Sequence, residues 1–151
     1  MFKKIMNKKL LKNQKGLTLI ELLAVIVILA IIAAIAIPAI GNIINNSKDK
    51  AILSDAAGLL SGAKIAIADG ACSETVKEIT CGKDVLADVF EGKDKLIDSD
   101  KVTYDKSKSE YRISYGELVN IVNVKKFTIT GFTAGKDTSI TDKTLNKVMS
   151  K

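Results

Sequence analysis

The fold is decided by residues 15–44, which read KGLTLIELLAVIVILAIIAAIAIPAIGNII. Within them residues 22–37 are all apolar, and the apolar character extends over residues 17–40. Three residues interrupt it, namely Thr18, Glu21 and Pro38. Twenty-four helical residues reach about 36 Å, against roughly 30 Å of hydrocarbon in a bilayer. The stretch therefore predicts a helix that can cross a membrane.

The residues before this stretch form a basic leader. Residues 1–16 contain six lysines and no acid. These are Lys3, Lys4, Lys8, Lys9, Lys12 and Lys15. By the positive-inside rule this end stays in the cytoplasm, so the rest of the chain faces outward. With six of the 23 basic residues in the leader, the remaining 17 balance all 17 acids, and the basic pI does not indicate nucleic-acid binding.

After Ile40 the pattern changes from wholly apolar to amphipathic. Apolar residues recur at three- and four-residue steps, at Ile44, Ile52, Ala56, Leu59, Ala63 and Ala66. We expect the polar side of the helix to carry Lys48, Asp49, Asp55 and Lys64. Gly70 readily takes the left-handed conformation of a helix cap, so the helix should end at Asp69-Gly70. One continuous helix of about fifty residues is predicted, with an apolar first half and an amphipathic second half.

The remaining residues predict a small sheet. Residues 71–101 form an irregular connection with a helical piece from Asp84 to Phe90. Three strands are predicted, over residues 111–115, 118–124 and 127–130, with turns at Gly116 and residues 123–126. A last short helix, capped by Thr141, bears Leu145, Val148 and Met149. We therefore predict an α+β fold, in which the amphipathic half of a long N-terminal helix packs on a small antiparallel sheet.

Composition excludes several kinds of chemistry. The chain has no histidine, so histidine-dependent triads are excluded and the commonest zinc ligand is missing. Asp98 and Asp100 could form a calcium site or a catalytic pair, but no loop signature supports either. We interpret them as a solvated acidic turn. We expect no metal, no cofactor and no enzymatic activity.

The two cysteines follow the apolar segment, on its outward side. Cys72 and Cys81 enclose eight residues and lack the second pair or the histidines that a zinc site needs. We predict a disulfide, with free thiols as the alternative. By loop entropy an unstrained bridge would stabilise the fold by about 2.5 kcal/mol.

Residues 15–21, KGLTLIE, join the basic leader to the apolar run. They resemble the class III signal of type IV prepilins and pseudopilins. In that family a prepilin peptidase cuts after the glycine on the cytoplasmic side and methylates the new amino terminus. The resemblance therefore implies cleavage between Gly16 and Leu17 and N-methylation of Leu17. The first mature residue of the family is usually phenylalanine, and Leu17 is a variant of that pattern.

Glu21 and Pro38 also take meaning from the resemblance. A carboxylate costs about 2.5 to 3.5 kcal/mol at mid-bilayer, and less near the interface. Cleavage after Gly16 creates an amine four residues from Glu21, about 6 Å along a helix. The resemblance implies that Glu21 meets the amine of a neighbouring subunit during assembly; the alternative is a polar residue tolerated at the membrane face. Many such proteins also have a proline where Pro38 stands, which implies a kink or local melting of the helix.

Two other interpretations of the N-terminal segment stay open. Ala34-Ile35-Ala36 forms an A-x-A site, as in an ordinary secretory signal peptide. Two features oppose this interpretation. Glu21 interrupts the apolar region, and apolar residues continue beyond the bond before Ile37, where a signal peptidase would cut. An uncleaved signal anchor is the other alternative.

Three segments are expected: a removed leader at 1–16, a transmembrane and filament-core helix at 17–44, and an extracellular globular domain at 45–151. The resemblance implies a structural subunit of a type IV pilus or related filament, anchored in the membrane as a precursor and extracellular after assembly. Its partners would be other copies of itself, a prepilin peptidase, the pilus assembly machinery and membrane lipid. The alternatives are a minor pilin or pseudopilin of a secretion or DNA-uptake system, or a membrane-anchored monomeric binding module.

Overall fold

The computed structural model describes residues 18–151. The leader at 1–16 and the cleavage residues Gly16 and Leu17 lie outside the described residues. The chain divides into two compact units, Met1–Gly41 and Asn42–Lys151.

Helix α1 runs from Leu19 to Ala68 as one element of 50 residues. It ends with Gly70 in the left-handed region, at φ 72°. The Gly70 amide donates to the Ile67 carbonyl at 3.1 Å, and the Ala71 amide donates to Ala66 at 2.9 Å. These two bonds form a Schellman cap, which satisfies carbonyls that the last turn would otherwise leave open. The predicted length and end of the helix are confirmed.

The elements that follow α1 belong to the globular unit. The strands are β1 (Ser73–Glu74), β2 (Glu78–Gly82), β3 (Lys101–Asp105), β4 (Glu110–Ser114) and β5 (Ser139–Thr141). The helices are α2 (Lys83–Val89), α3 (Val124–Phe127) and α4 (Asp142–Met149), with 3₁₀ turns at Lys93–Lys95 and Gly116–Asn120. As predicted, Thr141 caps the last helix, because its hydroxyl accepts from the Thr144 amide.

The five strands form one antiparallel sheet in the order of the chain, β1-β2-β3-β4-β5. One row of paired residues crosses four strands: Cys81 faces Val102, Val102 faces Ile113, and Ile113 faces Ile140. All four are buried. Because side chains alternate between the two faces of a strand, this row forms the inner face of the sheet.

The second half of α1 packs on this inner face. Its buried stripe contains Leu53, Ala56, Leu59, Leu60, Ala63 and Ala66, which recur at helical spacing. The Cys81 sulfur lies 3.8 Å from the Ala63 carbonyl oxygen. A β-carbon at Gly62 would come within 2.8 Å of the Val89 side chain, so glycine permits α2 to approach α1 closely here. The α+β fold class is confirmed.

The sheet differs from the sequence prediction in extent and membership. It has five strands, not three, and of the three predicted strands only residues 111–115 correspond to one of them, β4. Residues 118–124 and 127–130 are not strands: a 3₁₀ turn covers Gly116–Asn120, and α3 begins at Val124. The physical reason is spacing, since Leu118 and Ile121 are both buried three residues apart, which suits a tight turn and not an alternating strand.

Two predictions for the surface of α1 are wrong. Asp49, expected on the polar side, is fully buried. Its carboxylate accepts hydrogen bonds from the amides of Val122 and Asn123, both at 2.8 Å, and these bonds compensate for burial of the charge. Ile44, expected in the buried stripe, is 47% exposed.

Candidate functional site

The described chain begins with a capping box. The Thr18 hydroxyl accepts from the Glu21 amide at 3.3 Å. In return, the backbone amide and the hydroxyl of Thr18 each donate to the Glu21 carboxylate, at 2.8 Å. This reciprocal arrangement satisfies two amides that the first turn of α1 would otherwise leave open. It also places a negative charge at the positive end of the helix dipole.

The capping box gives Glu21 a local role that we did not predict. The signal was present in the sequence as T-x-x-E over residues 18–21, directly before an apolar run. Both bonds from Thr18 end on the same carboxylate oxygen, Oε2. The second oxygen, Oε1, accepts no hydrogen bond from the described residues. Thr18 therefore holds Glu21 in place through a single carboxylate oxygen.

Beyond this box, residues 22–41 of α1 expose an apolar surface. Every leucine, isoleucine and valine from Leu19 to Ile44 is at least 47% exposed. Among the described residues, α1 is the one helix long and apolar enough to cross a membrane. A continuous apolar surface of this size is covered by lipid or by other protein in a stable molecule.

Pro38 lies inside α1, and the helix continues on both sides of it. Proline has no amide hydrogen, so the Ala34 carbonyl, four residues earlier, lacks its helical donor. A helix can bend or open at such a point. The kink at Pro38 stays a prediction.

Cys72 and Cys81 are joined as a disulfide in the structure, with their Cα atoms 4.6 Å apart. They extend the register of the hairpin β1–β2, in which Ser73 faces Thr80. The bridge thus ties the chain directly after α1 to a central strand of the sheet. Its formation in the exported protein stays a prediction.

The two acids proposed as an alternative metal or catalytic pair have separate roles. The Asp98 side chain is 97% exposed and forms an ion pair with Lys83 at 2.8 Å. Asp100 is buried and accepts from the amides of Ile97 and Gly116, at 3.0 and 2.8 Å. The prediction of a solvated acidic turn therefore holds for Asp98 and is wrong for Asp100. Among residues 18–151 no cluster of three or more potential ligands could hold a metal ion.

The arrangement so far defines a class of protein. A long apolar helix whose second half packs on a five-stranded antiparallel sheet is consistent with the pilin fold. Residues 11–37 match the family described as the prokaryotic N-terminal methylation motif. This match supports a type IV pilin-like prepilin and agrees with the resemblance of residues 15–21. The matched range includes Gly16, Leu17, Thr18 and Glu21, and it ends one residue before Pro38.

The match covers 27 of the 151 residues. No curated protein matches the chain significantly, and neither does any solved structure. The globular unit is therefore interpreted from its own geometry.

Proposed function

We propose that this chain is a structural subunit of a type IV pilus or related extracellular filament. The observation that carries the proposal is the methylation motif at residues 11–37, which continues into a helix whose apolar side chains are exposed up to Ile44. A class III signal suits processing by a prepilin peptidase. An apolar helix that the rest of the chain does not cover suits a subunit whose helix contacts lipid before assembly and other subunits afterwards.

The first step is processing at the cytoplasmic face. The six lysines of the leader retain the bond between Gly16 and Leu17 on that side. Cleavage there creates a new amine on Leu17, which the enzyme methylates. Thr18 becomes the second residue of the mature chain, directly before the first turn of α1.

The second step is recruitment of subunits through Glu21. Thr18 occupies Oε2 of the carboxylate, and Oε1 accepts no bond from the described residues. The amine of a neighbouring subunit can therefore approach without displacing Thr18. In a site that excludes water, a charge-assisted hydrogen bond of this kind is stronger than a neutral one. This pairing also compensates for the cost of holding the carboxylate among apolar side chains.

The third step transfers α1 from the membrane to the filament. Before assembly, the residues from Leu19 to Ile44 contact lipid; afterwards they contact the same segment of other subunits. Small residues at Ala30, Ala33, Ala34 and Ala36 allow helices to approach closely in an apolar environment. The precursor is thus membrane-anchored, the product is extracellular, and the role is structural and not enzymatic.

Electron microscopy of sheared surface material, with mass spectrometry of its subunit, tests the proposal. We expect filaments built from a chain that starts at N-methyl-Leu17. A mature chain that starts at Ile37 would instead support a secretory signal peptide. Correct processing without filaments would support a membrane-anchored monomeric module. Filaments that contain this chain only in trace amounts would indicate a minor pilin or pseudopilin.

A further inference from the structure

The end of the globular unit that follows the apolar segment carries an exposed basic and apolar surface. We name it the basal patch and define it by Val122, Val124, Lys125 and Lys126. Val122 is 61% exposed and Val124 is 41% exposed, although the next residues on either side, Ile121 and Phe127, are buried in the core. Burial of these two neighbours fixes the turn while its valines and lysines face outward.

The turn that bears the patch is fixed to α1 by charged and polar contacts. The buried Asp49 accepts from the Val122 amide at 2.8 Å and from the Asn123 side chain at 2.7 Å. The Lys126 ammonium donates to the Asn46 side chain at 2.8 Å. The patch is therefore a fixed surface beside residues 46–49 of α1.

This attachment places the patch close to Ile44 along the same helix, within the globular unit. Asn46 and Asp49 follow Ile44 by two and five residues, which is about 3 to 8 Å along the helix axis. The headgroup layer on each side of the hydrocarbon is roughly 5 to 7 Å thick. With Ile44 at the hydrocarbon boundary, the patch is within reach of lipid headgroups.

The charges next to the patch in the sequence and on α1 favour an anionic surface. Residues 121–130 contain two lysines and no acid. On α1, Lys48 and Lys50 lie at the same level and are exposed, and the one acid between them, Asp49, is buried. Lysine near an anionic membrane gains roughly fivefold in binding per residue. Valine side chains beside lysines suit the boundary between headgroups and acyl chains.

We propose that the basal patch rests on the anionic phospholipid headgroups of the membrane that anchors α1, with Lys125 and Lys126 at phosphate groups. This inference rests on the proposed membrane-anchored precursor. The contact holds the globular unit on the bilayer while the subunit waits for assembly. It must be broken when the subunit moves into a filament, so membrane charge influences the supply of subunits.

A single tryptophan can report this contact, because the chain contains none. Val122→Trp places the reporter in the patch without removing the backbone amide that binds Asp49. Val76→Trp is the matched control, since Val76 is 93% exposed at the tip of the β1–β2 hairpin. The full-length chain of each variant is reconstituted in neutral vesicles and in vesicles that contain phosphatidylglycerol, with brominated lipids as quenchers.

We expect Val122→Trp to be blue-shifted and quenched in the anionic vesicles, and Val76→Trp to be unaffected. Raising the salt from about 0.1 M to about 1 M shortens the screening length from about 10 Å to about 3 Å, and should release the reporter. Adding Lys125→Glu should weaken the contact at least about fivefold, whereas Lys77→Glu, an equal change of charge at the hairpin tip, should not.

The outcomes separate this inference from the proposed function. A chain that fails to float with any vesicle contradicts the membrane anchor itself. A chain that floats, but whose Val122→Trp emission is the same in neutral and anionic vesicles, overturns the headgroup contact alone. The tryptophan of Val122→Trp could instead be protected from the quenchers to an extent that depends on the protein-to-lipid ratio and not on lipid charge. That result would assign the patch to a contact with a second copy and would also overturn the headgroup contact. Loss of protease resistance in Lys125→Glu would mean that this variant is not folded. The headgroup contact is then tested with Lys125→Gln and with the salt titration of the unchanged patch.

Discussion

The Asp49 carboxylate of α1 accepts two hydrogen bonds from Asn123, from the backbone amide at 2.8 Å and from the side-chain amide at 2.7 Å. The two residues are 74 positions apart in the chain. The pair therefore joins the long helix to a turn that comes late in the sequence.

Asp49→Ala should destabilise the globular unit by about 2 kcal/mol, because three buried or half-buried donors lose their carboxyl acceptor. Asp49→Asn should also destabilise it, since its amide group would face donors. Asp69→Ala, at an exposed position after α1, serves as the control and should change stability by less than about 0.5 kcal/mol. The measurement is pulse proteolysis in urea of the mature chain in detergent. Equal midpoints for Asp49→Ala and Asp69→Ala would contradict a stabilising role.

Tyr115→Phe should leave the globular unit equally stable or slightly more stable at neutral pH. Tyr115 is fully buried, and its hydroxyl has no hydrogen-bond partner among the described residues. Removal of an unsatisfied buried polar group relieves a desolvation cost of about 1 kcal/mol. Its edge-to-face contact with Phe90, at 6.5 Å between ring centroids, is kept.

The same substitution should change the response to alkaline pH. Burial, and next the negative charge of Asp55, raise the pKa of Tyr115 well above its usual range. The unfolded chain therefore loses the proton first. The free energy of unfolding is then independent of this group below about pH 10 and falls by about 1.4 kcal/mol per pH unit above it. Unfolding midpoints from pH 9 to about 11 should fall more steeply for wild type than for Tyr115→Phe. Tyr104→Phe, in β3, removes a different tyrosine hydroxyl and keeps Tyr115, so it serves as the control.

The paired substitution Cys72→Ser with Cys81→Ser should lower the free energy of unfolding by about 2.5 kcal/mol, because it frees a short loop in the unfolded chain. The bridge itself can be detected by mass analysis of exported protein without reduction. Alkylation of both thiols before any reduction would count against it. The double variant should still be cleaved, since the processing site that we propose lies on the other side of the membrane.

Glu21→Ala should be cleaved and inserted normally yet fail to form filaments. It removes the partner proposed for the incoming amine, and at the same time it makes the apolar segment easier to insert. Glu21→Gln keeps the shape without the charge and should also assemble poorly. Thr18→Val keeps the charge of Glu21 and removes both hydrogen bonds of the Thr18 hydroxyl, so it separates local capping from pairing between subunits. The readout is the amount of chain in the sheared fraction relative to the membrane fraction.

Normal filaments from Glu21→Ala would refute the pairing role. Loss of protease resistance in residues 45–151 would instead assign Glu21 to the fold. An assembly defect in Thr18→Val as severe as in Glu21→Ala would mean that capping, and not charge, limits assembly.

Replacing Gly16 by a bulky residue, such as valine, should leave an uncut precursor in the membrane. The peptidase must fit the residue before the scissile bond, and a larger side chain would obstruct it. Mass spectrometry of membrane protein should find the chain from Met1. Wild-type processing of Gly16→Val would place the cleavage elsewhere, with the bond before Ile37 as the first to inspect.

Local patterns were sufficient to predict α1, α2 and α4, but not α3. The apolar run, the later amphipathic steps and Gly70 predicted α1 and its end, and Thr141 marked the start of α4. The strand β3 could also have been found, because Val102 and Tyr104 alternate with polar residues. The strand predicted at residues 118–124 was wrong. Apolar residues in a short segment do not show whether every second residue is buried, as in a strand, or every third, as in a tight turn.

Contacts between distant residues could not be predicted. Nothing near Asp49 in the sequence indicates burial, because the amides that bind it lie 73 and 74 residues further on. Asp100 is similar, since one of its two amide partners is Gly116. The capping box of Thr18 and Glu21 is the opposite case, because its signal is local and complete within four residues.

The strand order β1-β2-β3-β4-β5 has a consequence for how the globular unit folds while the chain is being translocated. During translocation the chain emerges from its N-terminal side, so each new strand finds its neighbour already outside. The sheet can grow one strand at a time, and only the closure of the core awaits the last segments. We therefore expect Cys72 and Cys81 still to form their disulfide in a chain truncated after Ser114. Failure of the truncated chain to form it would show that the strands pair only when the whole domain is present.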